Sequence, residues 1–233
     1  MHGAAAMTFA FSPPRQATLP IAGSSLLFPV HRVYCIGRNY AEHAREMGHD
    51  PDREPPFFFQ KNPDNLRSDG VFPYPGNSQD VQFEVEMAVC LKSGQQNISE
   101  AAALEHVFGY SIALDMTRRD LQGAAKKLGR PWEVGKSFED SAPCGLVHQA
   151  ADVGHPCTGE ISLDQNGARR QTGDLAQMIW SVPEQIAVLS RFFTLSAGDV
   201  ILTGTPAGVG RVAVGDALVA RIEGLGELQV AVV

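Results

Sequence analysis

Acidic residues are missing from the start of this chain: no Asp or Glu occurs in the first 41 positions. Acid-poor beginnings are a mark of organellar targeting segments. Here, however, Arg15 is the only Arg before Arg32, and Pro13-Pro14 would break the amphipathic helix that such a segment needs. Positions 1–30 are therefore expected to be a short lead before a single catalytic domain over 31–233, with no signal-peptide pattern. Long apolar runs are lacking as well; none approaches the ~20 residues that cross a bilayer, so no membrane segment is expected. Cysteine is sparse, and Cys35, Cys90, Cys144 and Cys157 form no CxxC pair and show no metal-ligand spacing. This pattern argues against a thiolate metal site and fits unpaired thiols in a reducing cytoplasm. Net positive charge is absent too: a formal charge of −7 argues against a nucleic-acid or anionic-membrane partner. What the 233 residues do have is 44% hydrophobic content, enough for one large core.

The most informative stretch is Phe83-Glu84-Val85-Glu86-Met87. Val81, Phe83, Val85 and Met87 alternate with Gln82, Glu84, Glu86 and Ala88, so the period of two predicts a strand over 81–91. Glu84 and Glu86 then stand side by side on one face. Like charges that close either share a wet surface or hold a cation between them. A second strand, over 109–115, ends on Asp115. Thr117 is placed to cap a helix over 118–128, Gly129 suits the left-handed position beyond it, and Pro131 prevents continuation. Glu84, Glu86 and Asp115, with no Cys or His nearby in sequence, form an all-oxygen set. Hard oxygen ligands suit Mg²⁺ or Mn²⁺, with Ca²⁺ as a substitute, rather than Zn²⁺.

Other residues join this set by spacing. His43 and Glu46, three apart on a helical stretch over 40–47, share a face. They are either a surface contact or a base whose tautomer is fixed by a carboxylate for water activation. The polar, proline-rich stretch 48–56 is either an ordinary surface loop or a lid that orders over substrate. Lys61, after the Phe57-Phe58-Phe59 run, either snorkels to solvent or points into a site. Arg119 and Gln122 should face Asp115 together, and a guanidinium matches a substrate carboxylate at two points; Arg118 is expected on the solvent side. Lys136 sits in Gly135-Lys136-Ser137-Phe138, which lacks the upstream glycines of a phosphate-binding loop. Thr205 lies in a Gly-rich turn that is either a plain connection or a close approach to a carboxylate.

The remaining pattern is mixed. Strands are predicted over 33–36, 57–61, 161–165, 168–171 and 200–203, with Asn166-Gly167 as a two-residue hairpin turn. Helices are predicted over 100–107, 174–180 and 183–193, with Asp174 and Ser181 as N-caps and Pro183 tolerated in the first turn. Without regular βαβ alternation, the fold class is α+β rather than a doubly wound sheet.

Five blocks, in order, carry a resemblance to a known family. They are Ile36-Gly37-Arg38-Asn39-Tyr40-Ala41-Glu42-His43-Ala44-Arg45-Glu46-Met47; Phe83-Glu84-Val85-Glu86; Leu114-Asp115-Met116-Thr117-Arg118-Arg119-Asp120-Leu121-Gln122; Pro131-Trp132 with Gly135-Lys136-Ser137-Phe138; and Leu202-Thr203-Gly204-Thr205-Pro206-Ala207-Gly208-Val209-Gly210. Over roughly 30–225 the chain resembles the fumarylacetoacetate hydrolase family, in its short single-domain acylpyruvate and fumarylpyruvate hydrolase branch. The resemblance implies a mixed β-roll of layered sheets with short peripheral helices, a homodimer and a small-molecule 2-oxo acid substrate. It implies Glu84, Glu86 and Asp115 as metal ligands, and His43, Glu46 and Lys136 as catalytic residues. Arg38, Lys61, Arg119, Gln122 and Thr205 would then bind substrate; Lys61 is followed by Asn62 where the family often has Pro, which departs from the pattern. The expected activity is metal-dependent cleavage of the C–C bond of a 3-acylpyruvate, fumarylpyruvate above all. Oxaloacetate decarboxylation or isomerisation of a 2-oxo diacid is the alternative on the same scaffold, and a non-catalytic oxo-acid-binding module the second.

Overall fold

A computed structural model describes residues 8–46 and 55–233. The expected lid therefore lies, up to residue 54, outside the described residues, as does Met47 at the end of the helix expected over 40–47.

A six-stranded mixed sheet forms the centre, in the order His148–Gln149, Val107–Leu114, Val85–Leu91, Val200–Leu202, Val33–Gly37 and Phe57–Lys61. All its pairings are antiparallel except Val200–Leu202 with Val33–Gly37. Every residue of Val85–Leu91 is buried, because this strand is central and covered on both faces. The two faces read out the period of two. Val85, Met87, Val89 and Leu91 join Tyr34, Ile36, Tyr110 and Ile112 in the main apolar cluster. Ala88 and Cys90 join Cys35, Ala113, Val200 and Leu202 in a second, smaller-residue cluster. Each fully buried Val, Leu, Ile or Phe stabilises the fold by about 1.5–3 kcal/mol relative to exposure. Glu86 shares the register side of Ala88 and Cys90, so its position on the strand sends it into the tapering, small-residue side of the sheet.

The second layer is a five-stranded sheet in the order Ala168–Asp174, Glu160–Gln165, Ala217–Ile222, Gly226–Val232 and Val71–Phe72. Ile161, Leu163, Leu218, Ala220, Val230 and Val232 bring its inner face onto the main cluster. Helix Val182–Phe192 packs its Val182, Ile186 and Leu189 into the same cluster beside the 3-10 turn Glu100–His106. The architecture is thus the expected α+β roll of layered sheets with few short helices. Among the described residues no helix is long and apolar enough to cross a membrane.

Local expectations meet the structure unevenly. Asn166 and Gly167 both take positive φ, 53° and 79°, as the two-residue turn requires. The strand expected over 81–91 is broken at Glu84 into Val81–Phe83 and Val85–Leu91. The helix expected over 174–180 is only the 3-10 turn Leu175–Gln177, capped by Asp174, whose Oδ1 accepts from Ala176 N at 2.8 Å. It stops because Ile179 N and Trp180 N donate to the carbonyl and side chain of Asn39, at 2.8 and 2.7 Å, instead of to their own turn. The helix expected over 100–107 is 3-10 in geometry. Arg118 is half-buried, its guanidinium 4.2 Å from the Phe138 ring centroid, rather than turned to solvent. The hairpin of Ala217–Ile222 with Gly226–Val232 went unpredicted. Within the segment 1–30, Thr18–Pro20 pairs with Leu27–Pro29, and Leu19, Ile21 and Phe28 are buried in the second cluster.

Candidate active site

The break at Glu84 brings the three carboxylates together. Val81–Phe83 pairs with Thr117–Arg118 and Gly210–Arg211 in a small sheet of its own, and the chain then crosses into the central sheet. At the crossing, Glu84 O accepts from Asp115 N at 2.8 Å, and Val85 N turns aside to donate to Gln171 Oε1 at 2.9 Å. Asp115 follows directly on the strand Val107–Leu114, one position beyond Leu114, the partner of Val85. Glu84, Glu86 and Asp115 are all buried, and each offers an oxygen within 4.8 Å of the others'.

Three cations answer two of the three carboxylates. Lys136 Nζ lies 2.7 Å from Glu84 Oε2 and 2.6 Å from Asp115 Oδ2. It ends the short helix Glu133–Lys136, which rests on helix Arg119–Lys127 so closely that a Cβ on Gly135 would lie 2.9 Å from the Gln122 backbone nitrogen. Only glycine permits that approach. Arg119 Nη2 binds Glu84 Oε1, while its Nε and Nη1 donate at 2.9 Å to Gln82 and Gln122. Lys61 is wholly buried behind Asp115, 2.8 Å from Oδ1, and also donates to Ser141 Oγ at 3.0 Å and to the Lys136 carbonyl. It backs the triad rather than lining the cavity.

The charges do not balance evenly over the site. Burial by itself would raise the Glu84 carboxyl, but Lys136 and Arg119 overcome it and hold Glu84 well below the usual carboxylate range. Burial would lower Lys136, yet Asp115 and Glu84 keep it raised and charged. Glu86 has no ion pair among the described residues; its Oε2 accepts only from Gly204 N, at 2.7 Å. Burial, then Asp115 and Glu84, push its carboxyl well above the ordinary value. Asp115 Oδ1 is buried with an ion-pair distance to Lys61 but no aligned hydrogen bond. An under-compensated Glu86 and a spare oxygen on Asp115, in a set of hard donors, fit a divalent cation. The triad can hold such a metal.

His43 is buried at the cavity edge with Nδ1 3.3 Å from Glu46 Oε2. Glu46 is fixed in turn by Gly208 N, 3.1 Å away. With Nδ1–H directed at a carboxylate, Nε2 is the free, basic nitrogen. Burial lowers the His43 pKa below its usual value, against the pull of Glu84 and Glu46, which favours the neutral ring. Thr205 Oγ1 accepts from Gln171 Nε2 at 2.8 Å, which leaves its O–H to donate into the cavity. Gly204 before it has φ +99°, and a Cβ there would lie 2.6 Å from the Asn39 Cβ.

A cleft whose empty space, counted with its open mouth, is about 430 Å³ gathers these groups. Of the sequence-predicted residues it is lined by Arg38, His43, Glu84, Glu86, Asp115, Arg119, Gln122, Lys136 and Thr205; Lys61 is buried behind this wall, and the exposed Glu46 does not line it. Sequence reasoning missed Lys126, Phe59 and Trp132 on the wall, and Gln171 and Asn39 behind it. Lys126 had a signal, since it continues the Arg119, Gln122 face by one more turn. Gln171 had none: it is a single amide in an exposed, arginine-rich strand, buried only because the fold packs that strand against Val85 and Thr205.

Comparison with known proteins agrees with this geometry. The family described as fumarylacetoacetate (FAA) hydrolase C-terminal matches residues 32–233. A crystal structure of fumarylpyruvate hydrolase from Pseudomonas aeruginosa, in complex with Mn²⁺ and pyruvate, is 48% identical, superposes with a TM-score of 0.95, and the match covers 97% of this chain and 99% of that one. The oxaloacetate tautomerase YcgM of Escherichia coli K12 is 42% identical over 205 residues, 87% of this chain and 93% of its own. A mitochondrial oxaloacetate tautomerase of Arabidopsis thaliana is 39% identical over 198 residues, 85% of this chain and 89% of its own.

Proposed function

The chain belongs to the fumarylacetoacetate hydrolase C-terminal family, and from that premise we propose that it hydrolyses the C–C bond of 3-acylpyruvates, fumarylpyruvate first among them, to pyruvate and a carboxylic acid. The observation that carries this reading is His43, its Nδ1 3.3 Å from Glu46 Oε2, on the wall of a cavity floored by Glu84, Glu86 and Asp115. Hydrolysis needs a base to activate water, and His43 with Glu46 offers one beside the triad.

Glu84, Glu86 and Asp115 are the residues that would hold Mg²⁺ or Mn²⁺, which would supply Lewis-acid polarisation of the 2-oxo acid and stabilise its enolate. Arg119 and Gln122 position the substrate carboxylate, and the Thr205 hydroxyl donates to it. His43 Nε2 takes a proton from water as the water oxygen bonds to the acyl carbon. The bond between that carbon and the methylene then breaks, and its electron pair passes into the enolate of pyruvate. Lys136, held charged by Glu84 and Asp115, offsets that negative charge in this reading. A proton delivered to the methylene carbon completes pyruvate, and the acyl group leaves as the carboxylate. A homodimer in the cytoplasm belongs to the same reading.

The tautomerase relatives support a second reading, in which the same cavity moves a proton between the keto and enol forms of oxaloacetate without breaking a carbon–carbon bond. Purified protein with Mg²⁺ should be given fumarylpyruvate, acetylpyruvate and oxaloacetate separately, following enol absorbance and pyruvate formation. EDTA-sensitive release of pyruvate from fumarylpyruvate is the expected result. Loss of enol absorbance from oxaloacetate alone, with no pyruvate from any acylpyruvate, would replace the hydrolase by the tautomerase.

A further inference from the structure

One side chain of the second sheet reaches the site from behind. Strand Ala168–Asp174 buries Gln171 fully, between the exposed Arg170 and Thr172. A buried amide costs free energy unless its hydrogen bonds are met. Gln171 Oε1 accepts from Val85 N at 2.9 Å, and its Nε2 donates to Thr205 Oγ1 at 2.8 Å and to Pro206 O at 2.7 Å. The two backbone groups fix which end of the amide is which, because Val85 N–H can only donate and the Pro206 carbonyl can only accept. A flipped amide would set donor against donor at Val85 and acceptor against acceptor at Pro206. Nε2 therefore faces Thr205, and the Thr205 oxygen must accept. A hydroxyl carries a single proton, so that proton points away from Gln171, and Thr205 lines the cavity. The same strand braces the turn on either side. A Cβ on Gly208 would strike the Arg170 carbonyl oxygen, and one on Gly173 would lie 2.8 Å from the Pro206 Cβ. Packing thus places the Thr205 side chain, and Gln171 decides the direction of its proton.

Building on the proposed function, in which Thr205 meets the substrate carboxylate, we propose that Gln171 is a positioning residue: it makes Thr205 a standing hydrogen-bond donor toward that carboxylate and so strengthens binding of the 2-oxo acid end of the substrate. A free threonine hydroxyl offers either its proton or its lone pairs, and loses rotational freedom when a ligand fixes it. Here the choice is made before the ligand arrives, so less is lost on binding. The bond that Thr205 accepts also polarises the one it donates. Gln171 does not line the cavity, so it acts on the ligand through Thr205.

The test is a double-mutant cycle on the Mg²⁺-saturated protein, read by isothermal titration calorimetry with pyruvate. Thr205→Val should weaken pyruvate by about tenfold, the value of one hydrogen bond to a charged group. Thr205→Ser, which keeps the hydroxyl, should stay within about threefold of wild type. Gln171→Met, which cannot donate to Thr205, should weaken pyruvate about fivefold on its own and less than about twofold in the Thr205→Val background. Equal losses in the two backgrounds would reduce Gln171 to a purely structural role, and an unchanged affinity in Thr205→Val would remove the hydrogen bond itself; either result overturns the proposal. Should Gln171→Met fail to fold, Gln171→Glu takes its place in the cycle. It keeps an acceptor for Val85 N and draws the Thr205 proton to itself, so it should again lose more affinity alone than in the Thr205→Val background. Pyruvate has no acyl group to lose, so the cycle gives the same answer whether the chain hydrolyses acylpyruvates or tautomerises oxaloacetate, which the acylpyruvate assay decides separately.

Discussion

Two glutamates, two positions apart at the break between two strands, should respond in opposite directions to the same substitution. Glu84 is ion-paired twice, to Lys136 and to Arg119. Glu86 has only the Gly204 amide and two like-charged neighbours. At the 4.8 Å that bounds their separations, each repulsion amounts to about 3–4 kcal/mol at an effective dielectric near 20. Lys136 offsets part of this, so in metal-free protein Glu86→Gln, which keeps an acceptor for Gly204 N, should stabilise the fold by roughly 1–3 kcal/mol at pH 8. Glu84→Gln strands a charge on Lys136 and Arg119 and should destabilise it by about 3–5 kcal/mol. The pH dependence has a definite sign. The folded protein keeps the Glu86 proton to a higher pH than the unfolded chain, where a glutamate ionises near ~4.3. The Glu86 contribution to the stability of the metal-free protein therefore falls as pH rises above that value, and the advantage of Glu86→Gln over wild type grows over the same window and vanishes below it. Urea denaturation in EDTA between pH 4 and 8 measures both effects. Adding Mn²⁺ should raise the stability of wild type strongly and of Glu86→Gln weakly. A Glu86→Gln protein that is less stable than wild type in EDTA at pH 8, or that gains as much from Mn²⁺, would refute the assignment of Glu86 as the under-compensated ligand.

Further expectations concern the base and the turn behind it. His43→Ala should lower kcat for fumarylpyruvate by about 10²–10⁴ while leaving Mn²⁺ affinity, read by calorimetry, unchanged. Since burial lowers the His43 pKa, the acid limb of the wild-type rate profile should fall below the usual 6.5 of histidine, activity rising with pH as the ring loses its proton; a limb above that value would point to another base. Gly204→Ala places a methyl group 2.6 Å from the Asn39 Cβ at φ +99°, and should cost about 1–3 kcal/mol in urea denaturation as well as weakening metal binding through the displaced Gly204 amide. Chelation should abolish turnover and Mg²⁺ or Mn²⁺ should restore it, measured by pyruvate release.

Much of the site could be read along the chain because its residues lie on regular elements with regular periods. The alternation around Glu84 and Glu86 indicated shared orientation, the three-residue spacing of Arg119 and Gln122 indicated a shared helical face, and Asp115 stood out as a strand-end acid. The hairpin turn at Asn166-Gly167 was equally local, since its positive φ values depend on those two residues. Two predictions failed because a distant partner had taken over a backbone group. Asn39 captures the amides of Ile179 and Trp180 and ends the helix expected there, and Gln171 captures the amide of Val85 and lets the strand change sheets at Glu84.

Sequence by itself determined the chemistry: an acidic chain without thiolate clusters, three oxygen ligands, a His–Glu pair, and the family to which these belong. Tertiary structure decided the charge relations among them. Which glutamate is paired and which is left short, that Lys61 supports Asp115 from behind instead of lining the cavity, and that Lys126 shares a wall with Trp132, all depend on contacts between residues far apart in the chain. Local periodicity sets the face on which a side chain emerges; the burial and the neighbouring charges that tune it exist only once the sheets have packed.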